Sequence, residues 1–219
     1  MSNPARKRVA VLMSGRGSNM MALVEATCRP GYPAEIVAVI SNRPQAPGLA
    51  WARDRGLKTI ALDHREYASR ESFDDALHQS LVDAGAELVA CAGFMRLMTP
   101  KLVDRWRNAM INIHPSLLPS FKGLNTHERA LVAGARITGC TVHVVRPKMY
   151  EGPILGQAAL PILDGDTPDL LAERVLAAEH RLYPHILSLF AAYQLDIDEQ
   201  VARFKGKHEA GSTLFSPKL

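Results

Sequence analysis

Val9-Ala10-Val11-Leu12-Met13-Ser14-Gly15-Arg16-Gly17-Ser18-Asn19 decides how this chain folds. Five apolar residues in a row read as a strand buried on both faces, and the two glycines punctuate a turn. The amphipathic stretch from Asn19 to Cys28 then reads as a helix. The alternation continues. Ile36 to Ile40 reads as a strand, Gly48 to Arg55 as a helix and Lys58 to Leu62 as a strand. Ser69 to Ala84 reads as a longer helix with Ser69 as its N-cap, followed by a strand at Leu88 to Ala92. Strands alternating with helices imply parallel pairing through right-handed crossovers, with ligands collecting at the carboxyl ends of the strands.

The second half changes character. Pro100 to Arg107 is a short helix and Met110 to Ile113 an apolar strand, after which Pro115, Pro119 and Gly123 punctuate a loop before a helix near Thr126 to Ala133. Cys140 to Val145 and Ile154 to Leu160 read as two strands. Thr167 to Phe190 is a long terminal helix, capped by Thr167 or Asp166 with Pro168 in its first turn; its leucines and alanines from Leu170 to Leu189 form a core stripe. The fold class expected is α/β: a doubly wound, mostly parallel Rossmann-like sheet with a mixed C-terminal half and a long terminal helix. Residues 1–190 read as a single domain. Beyond Ala191 the pattern weakens, and residues 191–219, including Phe204-Lys205-Gly206-Lys207, read as a loosely packed or disordered extension.

Composition supports an ordinary globular chain. Of 219 residues 47% are hydrophobic and 22% charged, so collagen-like and disordered classes are excluded. Lys and Arg exceed Asp and Glu by 26 to 22, for a net charge of +4. The excess is spread along the chain, and its one dense run, Arg6-Lys7-Arg8, reads as a solvated tail. No nucleic-acid partner is expected, because no basic stripe carries interleaved aromatics. Cys28, Cys91 and Cys140 are an odd set without a CxxC pair and read as small buried hydrophobes. With no signal peptide and no apolar run of membrane length, a cytoplasmic protein is expected.

The glycine turn has chemistry of its own. Strand, glycine turn and helix N-terminus place free N–H groups and the positive end of the helix dipole around an anion. A dinucleotide fingerprint fails, because Met20 stands where a third small residue is needed and Ser41-Asn42-Arg43 offers no acid. The Gly-Lys-Ser/Thr of a Walker loop is absent. The turn either holds a lone phosphate, such as a phosphosugar's, or only tightens the connection.

Asn112-Ile113-His114-Pro115-Ser116-Leu117-Leu118-Pro119 is the second informative stretch. Alternate residues of a strand share a face, so Asn112 and His114 project together from its carboxyl end. An amide beside an imidazole suits acyl transfer, since both stabilise an oxyanion and imidazole moves a proton. The competing reading is a histidine hydrogen-bonded for structure alone. His143 reads as a packed or hydrogen-bonded strand residue able to approach His114 from a neighbouring strand. No two of His127, His180 and His185 have the i, i+4 spacing and glutamate of a zinc site, so no metal is expected.

Together with Ala92-Gly93-Phe94-Met95-Arg96, Gly123-Leu124-Asn125-Thr126-His127, Gly139-Cys140-Thr141-Val142-His143, Glu151-Gly152-Pro153-Ile154 and Glu179-His180-Arg181-Leu182-Tyr183-Pro184, these segments resemble the phosphoribosylglycinamide formyltransferase family from about Val9 to Phe190. The resemblance implies transfer of a formyl group from 10-formyltetrahydrofolate, a co-substrate, to the amine of 5-phosphoribosylglycinamide in de novo purine (IMP) biosynthesis, by a monomer or homodimer. It implies that Gly17, Ser18, Asn19 and Glu179 bind the phosphosugar. Arg70, Met95, Arg96, Leu97 and Met98 match folate contacts, with Asn112, and Asn112 and His114 match the catalytic pair.

The match departs at two positions. Tyr150 stands where the family carries a catalytic aspartate, in Arg146-Pro147-Lys148-Met149-Tyr150-Glu151-Gly152-Pro153, and Asn125 replaces a histidine. A tyrosine hydroxyl supplies no charge to favour imidazolium, and Lys148 is expected to disfavour it further. Three outcomes compete: Glu151 re-routes to serve, the enzyme is slow, or the chain is a divergent folate- or phosphosugar-binding relative with altered activity. A formyltetrahydrofolate hydrolase shares the Asn-Ile-His core, and Glu151 resembles its loop, but that enzyme carries an N-terminal regulatory domain where only eight residues precede Val9 here.

Overall fold

The structure is a computed structural model and describes residues 6–205, 214 and 216. Its main sheet is built from β1 (Lys7–Met13), β2 (Ala34–Ser41), β3 (Thr59–Ala61), β4 (Leu88–Cys91), β5 (Met110–His114), β6 (Ile137–Val144) and β7 (Ile154–Pro161). The strand order is β3-β2-β1-β4-β5-β6-β7. β1 to β5 pair in parallel, while β6 runs antiparallel to both β5 and β7. The expected mostly parallel sheet with a mixed C-terminal half is what forms.

The helices are α1 (Ser18–Thr27), α2 (Pro47–Arg53), α3 (Arg70–Asp83), α4 (Pro100–Arg105), α5 (Thr126–Val132) and α6 (Pro168–Ala191). The alternation of β1 sorts them into two layers. Val9, Val11 and Met13 join a core with Met20 and Leu23 of α1 and Tyr183 and Leu187 of α6. Ala10 and Leu12 face the other way, onto Phe73, Leu77 and Leu81 of α3. Each such fully buried aliphatic side chain contributes roughly 1.5–3 kcal/mol. Ser69 caps α3 in a reciprocal capping box with Ser72, and the Thr167 hydroxyl accepts from Leu170 N–H at 3.3 Å to cap α6. The buried stripe of α6 begins at Leu171, one residue later than expected, and Leu170 is exposed.

Three expectations need correction. Arg6-Lys7-Arg8 is no solvated tail. Arg6 donates to the carbonyls of Thr27 and Ala34, Lys7 pairs with Glu87, and Arg8 donates to Ala84 O at 2.8 Å. Thr27 and Ala84 close α1 and α3, whose last carbonyls lack partners within the helix, and this is the demand the basic run meets. Cys28 is exposed, unlike the buried Cys91 and Cys140, whose thiols burial pushes up to about 12. Residues 192–205 of the extension are structured: β8 (Leu195–Ile197) and β9 (Ala202–Phe204) form an antiparallel hairpin around a turn in which Asp198 accepts from Gln200 N–H and Val201 N–H. Of Phe204-Lys205-Gly206-Lys207, Gly206 and Lys207 lie outside the described residues. No helix among the described residues is long and apolar enough to cross a membrane.

Candidate active site

β1 pairs with β2 on one side and β4 on the other, so the connections leaving its carboxyl end diverge and open a crevice. Ser14 ties the crevice together. Its N–H donates to Gly93 O at 3.1 Å, while its hydroxyl donates to Asn42 Oδ1 at 2.5 Å and accepts from Met95 N–H at 2.8 Å.

On one side of Ser14 lies the glycine turn. Gly17 precedes α1 with φ +77, the left-handed conformation glycine adopts freely, and no side chain caps the helix, which leaves its first N–H groups free for an anion. The start of α2 presses on this turn. Gly48 N–H donates to Gly15 O at 3.2 Å, and a Cβ at Gly48 would sit 3.0 Å from Arg16 O. Asn19 donates from Nδ2 to Glu179 Oε2 at 2.7 Å, and its buried Oδ1 has no partner. Glu179 is itself buried on α6; burial raises its carboxyl above the ordinary range, partly offset by the Asn19 bond. The expected phosphosugar residues Gly17, Ser18, Asn19 and Glu179 are therefore together.

On the other side is a cavity of about 400 Å³ lined by Met95, Arg96, Leu97, Met98, Asn112, His143 and Tyr150. Arg96 stacks its guanidinium 4.4 Å above the Phe73 ring and keeps a buried Nε without a partner. Apolar walls with an unpaired polar group suit a flat heteroaromatic ligand with a polar edge. Arg70, expected here, stands exposed at the start of α3 and does not line the cavity. Sequence reasoning placed it through the resemblance, not through any spacing.

Antiparallel pairing of β5 and β6 sets Asn112 opposite His143 and His114 opposite Thr141. The hydrogen bonds fix each tautomer, because carbonyls only accept. His143 donates from Nδ1 to Val144 O at 3.0 Å, so its Nε2 accepts from Asn112 Nδ2 at 3.2 Å. His114 donates from Nε2 to Phe121 O at 3.2 Å. Burial lowers the imidazole of His143 to about 4, the Val144 carbonyl opposing and nearby His114 adding to the drop. His114 is also lowered, by burial first, with Arg129 and His127 adding to it and the Phe121 carbonyl opposing. Both rings are neutral near pH 7.

The proline-rich loop after His114 is held by residues the sequence did not single out. Thr141 donates to Ser116 O at 2.7 Å and accepts from Leu118 N–H and Gln157 Nε2, each at 3.0 Å. The Leu118–Pro119 bond is cis. A Thr opposite the loop and a Gln on the next strand carried no pattern, since their partners are each other and backbone groups far away in sequence.

The Tyr150 loop departs most from expectation. Tyr150 has φ +62, a conformation that costs a bulky L-residue roughly 1–2 kcal/mol, and its ring centre lies 4.5 Å from that of His114 and 6.3 Å from that of His143. The loop's return is enforced at Gly152, where a Cβ would lie 1.8 Å from Val144 O. Glu151 does not turn inward to serve the histidine. It is exposed, pairs with Lys148 at 2.8 Å and Lys122 at 3.4 Å, and those lysines hold its carboxyl below the ordinary range. Lys148 is thereby matched by Glu151, and the cation that disfavours imidazolium at His114 is Arg129, joined by His127 once that ring is protonated.

A profile described as formyl transferase matches residues 7–187. The chain belongs to the formyl transferase family. Phosphoribosylglycinamide formyltransferase of Escherichia coli (strain K12) is 37% identical over 199 residues, covering 91% of this chain and 94% of that protein. The crystal structure of glycinamide ribonucleotide transformylase 1 from Symbiobacterium toebii superposes with a TM-score of 0.88 at 44% identity, covering 91% of this chain and 94% of that one. The trifunctional purine biosynthetic protein adenosine-3 of Gallus gallus is 46% identical over 192 residues, 88% of this chain. This chain spans 19% of that longer protein. Ser14 links the glycine turn to Met95 of the cavity lining.

Proposed function

We propose that this chain transfers a formyl group from 10-formyltetrahydrofolate to the primary amine of 5-phosphoribosylglycinamide, in purine biosynthesis. The observation that carries the reading is Ser14, which bonds the glycine turn beside the Asn19–Glu179 pair to the Met95 loop of the apolar cavity. One ligand with a phosphate and one with a heteroaromatic ring would meet there, at Asn112 and His114.

In this reading the phosphate rests on the free N–H groups of Gly17, Ser18 and Asn19, and Glu179 accepts from the sugar. Met95, Arg96, Leu97 and Met98 hold the folate ring, with Arg70 reaching its outer carboxylates. The neutral amine attacks the formyl carbon and a new C–N bond forms. The free N–H of the Asn112 amide stabilises the oxyanion, a donor worth roughly 10²–10³ in rate, and His114, whose Nε2–H is given to Phe121 O, adds to it only as the imidazolium formed when Nδ1 takes the amine's proton. As the bond from carbon to N10 breaks, the proton lost by the amine reaches N10, with His114 as the relay. No carboxylate assists, since Tyr150 occupies that position. The working unit is residues 1–190 as one domain with 191–219 as its extension, in the cytoplasm, as a monomer or homodimer.

The test is a steady-state assay with both substrates, following folate absorbance. The expected result is an absorbance change that requires the amine. Binding of both substrates without turnover would overturn the reading in favour of a divergent binding protein, and formate release independent of the amine would make the chain a hydrolase.

A further inference from the structure

Tyr150 separates two cavities. It lines the main cavity with Asn112 and His143, and it lines a second cavity of about 330 Å³ with Lys122, Glu151 and Gln200. Among the described residues it is the one side chain common to both linings. The second cavity is furnished with the Lys122–Glu151 ion pair, groups that hold water. The first is lined by the Asn112 amide and its partner His143. Between them stands a phenol ring on a left-handed backbone, packed on His114. A bulky side chain kept at a conformation it disfavours marks a position over-determined by its surroundings, here by the return of the loop at Gly152.

We propose that Tyr150 is a specificity-determining residue: its ring bars water in the Glu151 cavity from the formyl carbon, so that the amine and not water takes the formyl group. This rests on the formyl-transfer reading. The reaction prevented is hydrolysis, in which a water oxygen bonds to the formyl carbon, the bond from carbon to N10 breaks, N10 takes a proton from the water and formic acid leaves. Glu151 beside the opening would orient that water. The ring's part is exclusion, so the hydroxyl is dispensable and the aromatic face is not.

The experiment measures formylated amine and free formate in one reaction mixture, using the full chain with Tyr150→Ala and Tyr150→Phe variants. Tyr150→Ala raises the ratio of formate to formylated amine roughly tenfold, whereas Tyr150→Phe keeps the ratio of the unaltered chain. Tyr150→Asn, whose side chain tolerates the left-handed backbone, asks the same question if the alanine variant does not fold. A ratio unmoved by alanine and asparagine overturns the barrier, and so does a phenylalanine variant that leaks as much as alanine. An unaltered chain that makes neither product refutes the formyl-transfer reading itself, which is a different outcome from a ratio that does not move.

Discussion

His143 and Asn112 face each other across the β5–β6 ladder, and the 3.2 Å bond between them runs in one direction only. With Nδ1 committed to the Val144 carbonyl, His143 presents a lone pair at Nε2, which dictates that the Asn112 amide turns its nitrogen that way. An amide flipped by half a turn would bring its oxygen against that lone pair. The orientation of the Asn112 amide, the proposed oxyanion donor, is thus set by a strand neighbour.

Replacing that neighbour should uncouple the amide. His143→Leu is expected to lower kcat roughly tenfold to a hundredfold, the equivalent of about 1.5–3 kcal/mol for a buried polar group left unpaired, with a much smaller change in KM for the folate. His143→Gln restores an acceptor and should recover part of the loss. Steady-state kinetics on both variants decide it: an equal loss in both would mean that the acceptor is irrelevant.

Acid should destabilise the fold through the same histidines. The folded-state imidazole of His143 lies near 4 and that of His114 is also lowered, against an ordinary 6.5. Below about 6.5 the unfolded chain binds protons the folded one refuses, so stability falls as pH drops from there through about 4, where His143 titrates, and is unaffected by these groups above it. For His143 the full difference is roughly 3 kcal/mol. Melting temperatures from pH 7.5 to 4 should fall less steeply in His143→Gln than in the unaltered chain; parallel curves would exclude His143 as a cause.

Tyr150→Asp is expected to raise the turnover of formyl transfer. The carboxylate would lie beside His114, counter Arg129, and favour the imidazolium that a developing oxyanion needs. Aspartate also accepts a positive φ more readily than tyrosine. Equal turnover in the two proteins would show that charge at this position does not limit the reaction.

At the other end of the site, Gly48→Ala should loosen the grip on phosphate. The added methyl meets the Met13 side chain at 2.8 Å and Arg16 O at 3.0 Å, so the glycine turn must move or α2 must back away. A loss of about 1–3 kcal/mol in stability is expected with a raised KM for the phosphosugar, while KM for the folate changes less. Calorimetric titration with the phosphosugar would expose the opposite result, an unaltered affinity.

The parallel half was legible because its strands are short apolar runs, all but β3 closed within three residues by a glycine or proline, with helix-length stretches between them. Asn112 and His114 were legible for the same reason: two residues apart on a strand share a side. What escaped was everything set by non-local backbone demand. The carbonyls at the ends of α1 and α3 drew in Arg6 and Arg8, which composition read as a solvated run. The hairpin after Ala191 has strands of three residues, too short for any period to show. Tyr150 could be read as an absent carboxylate, but nothing in its neighbours announced a ring laid against His114, because that contact depends on a left-handed turn enforced from β6.

The hairpin changes what the extension is for. Arg146, which lines the main cavity, donates to Asn108 Oδ1 at 2.6 Å and reaches Asp198 O at 3.4 Å, while Arg107 pairs with Glu199. Gln200, Val201 and Ala202 stand around the cavity behind Tyr150. The hairpin is therefore a buttress for the Tyr150 loop, and shortening the chain at Ala191 would cost catalysis as well as the packing of Leu195 on the core.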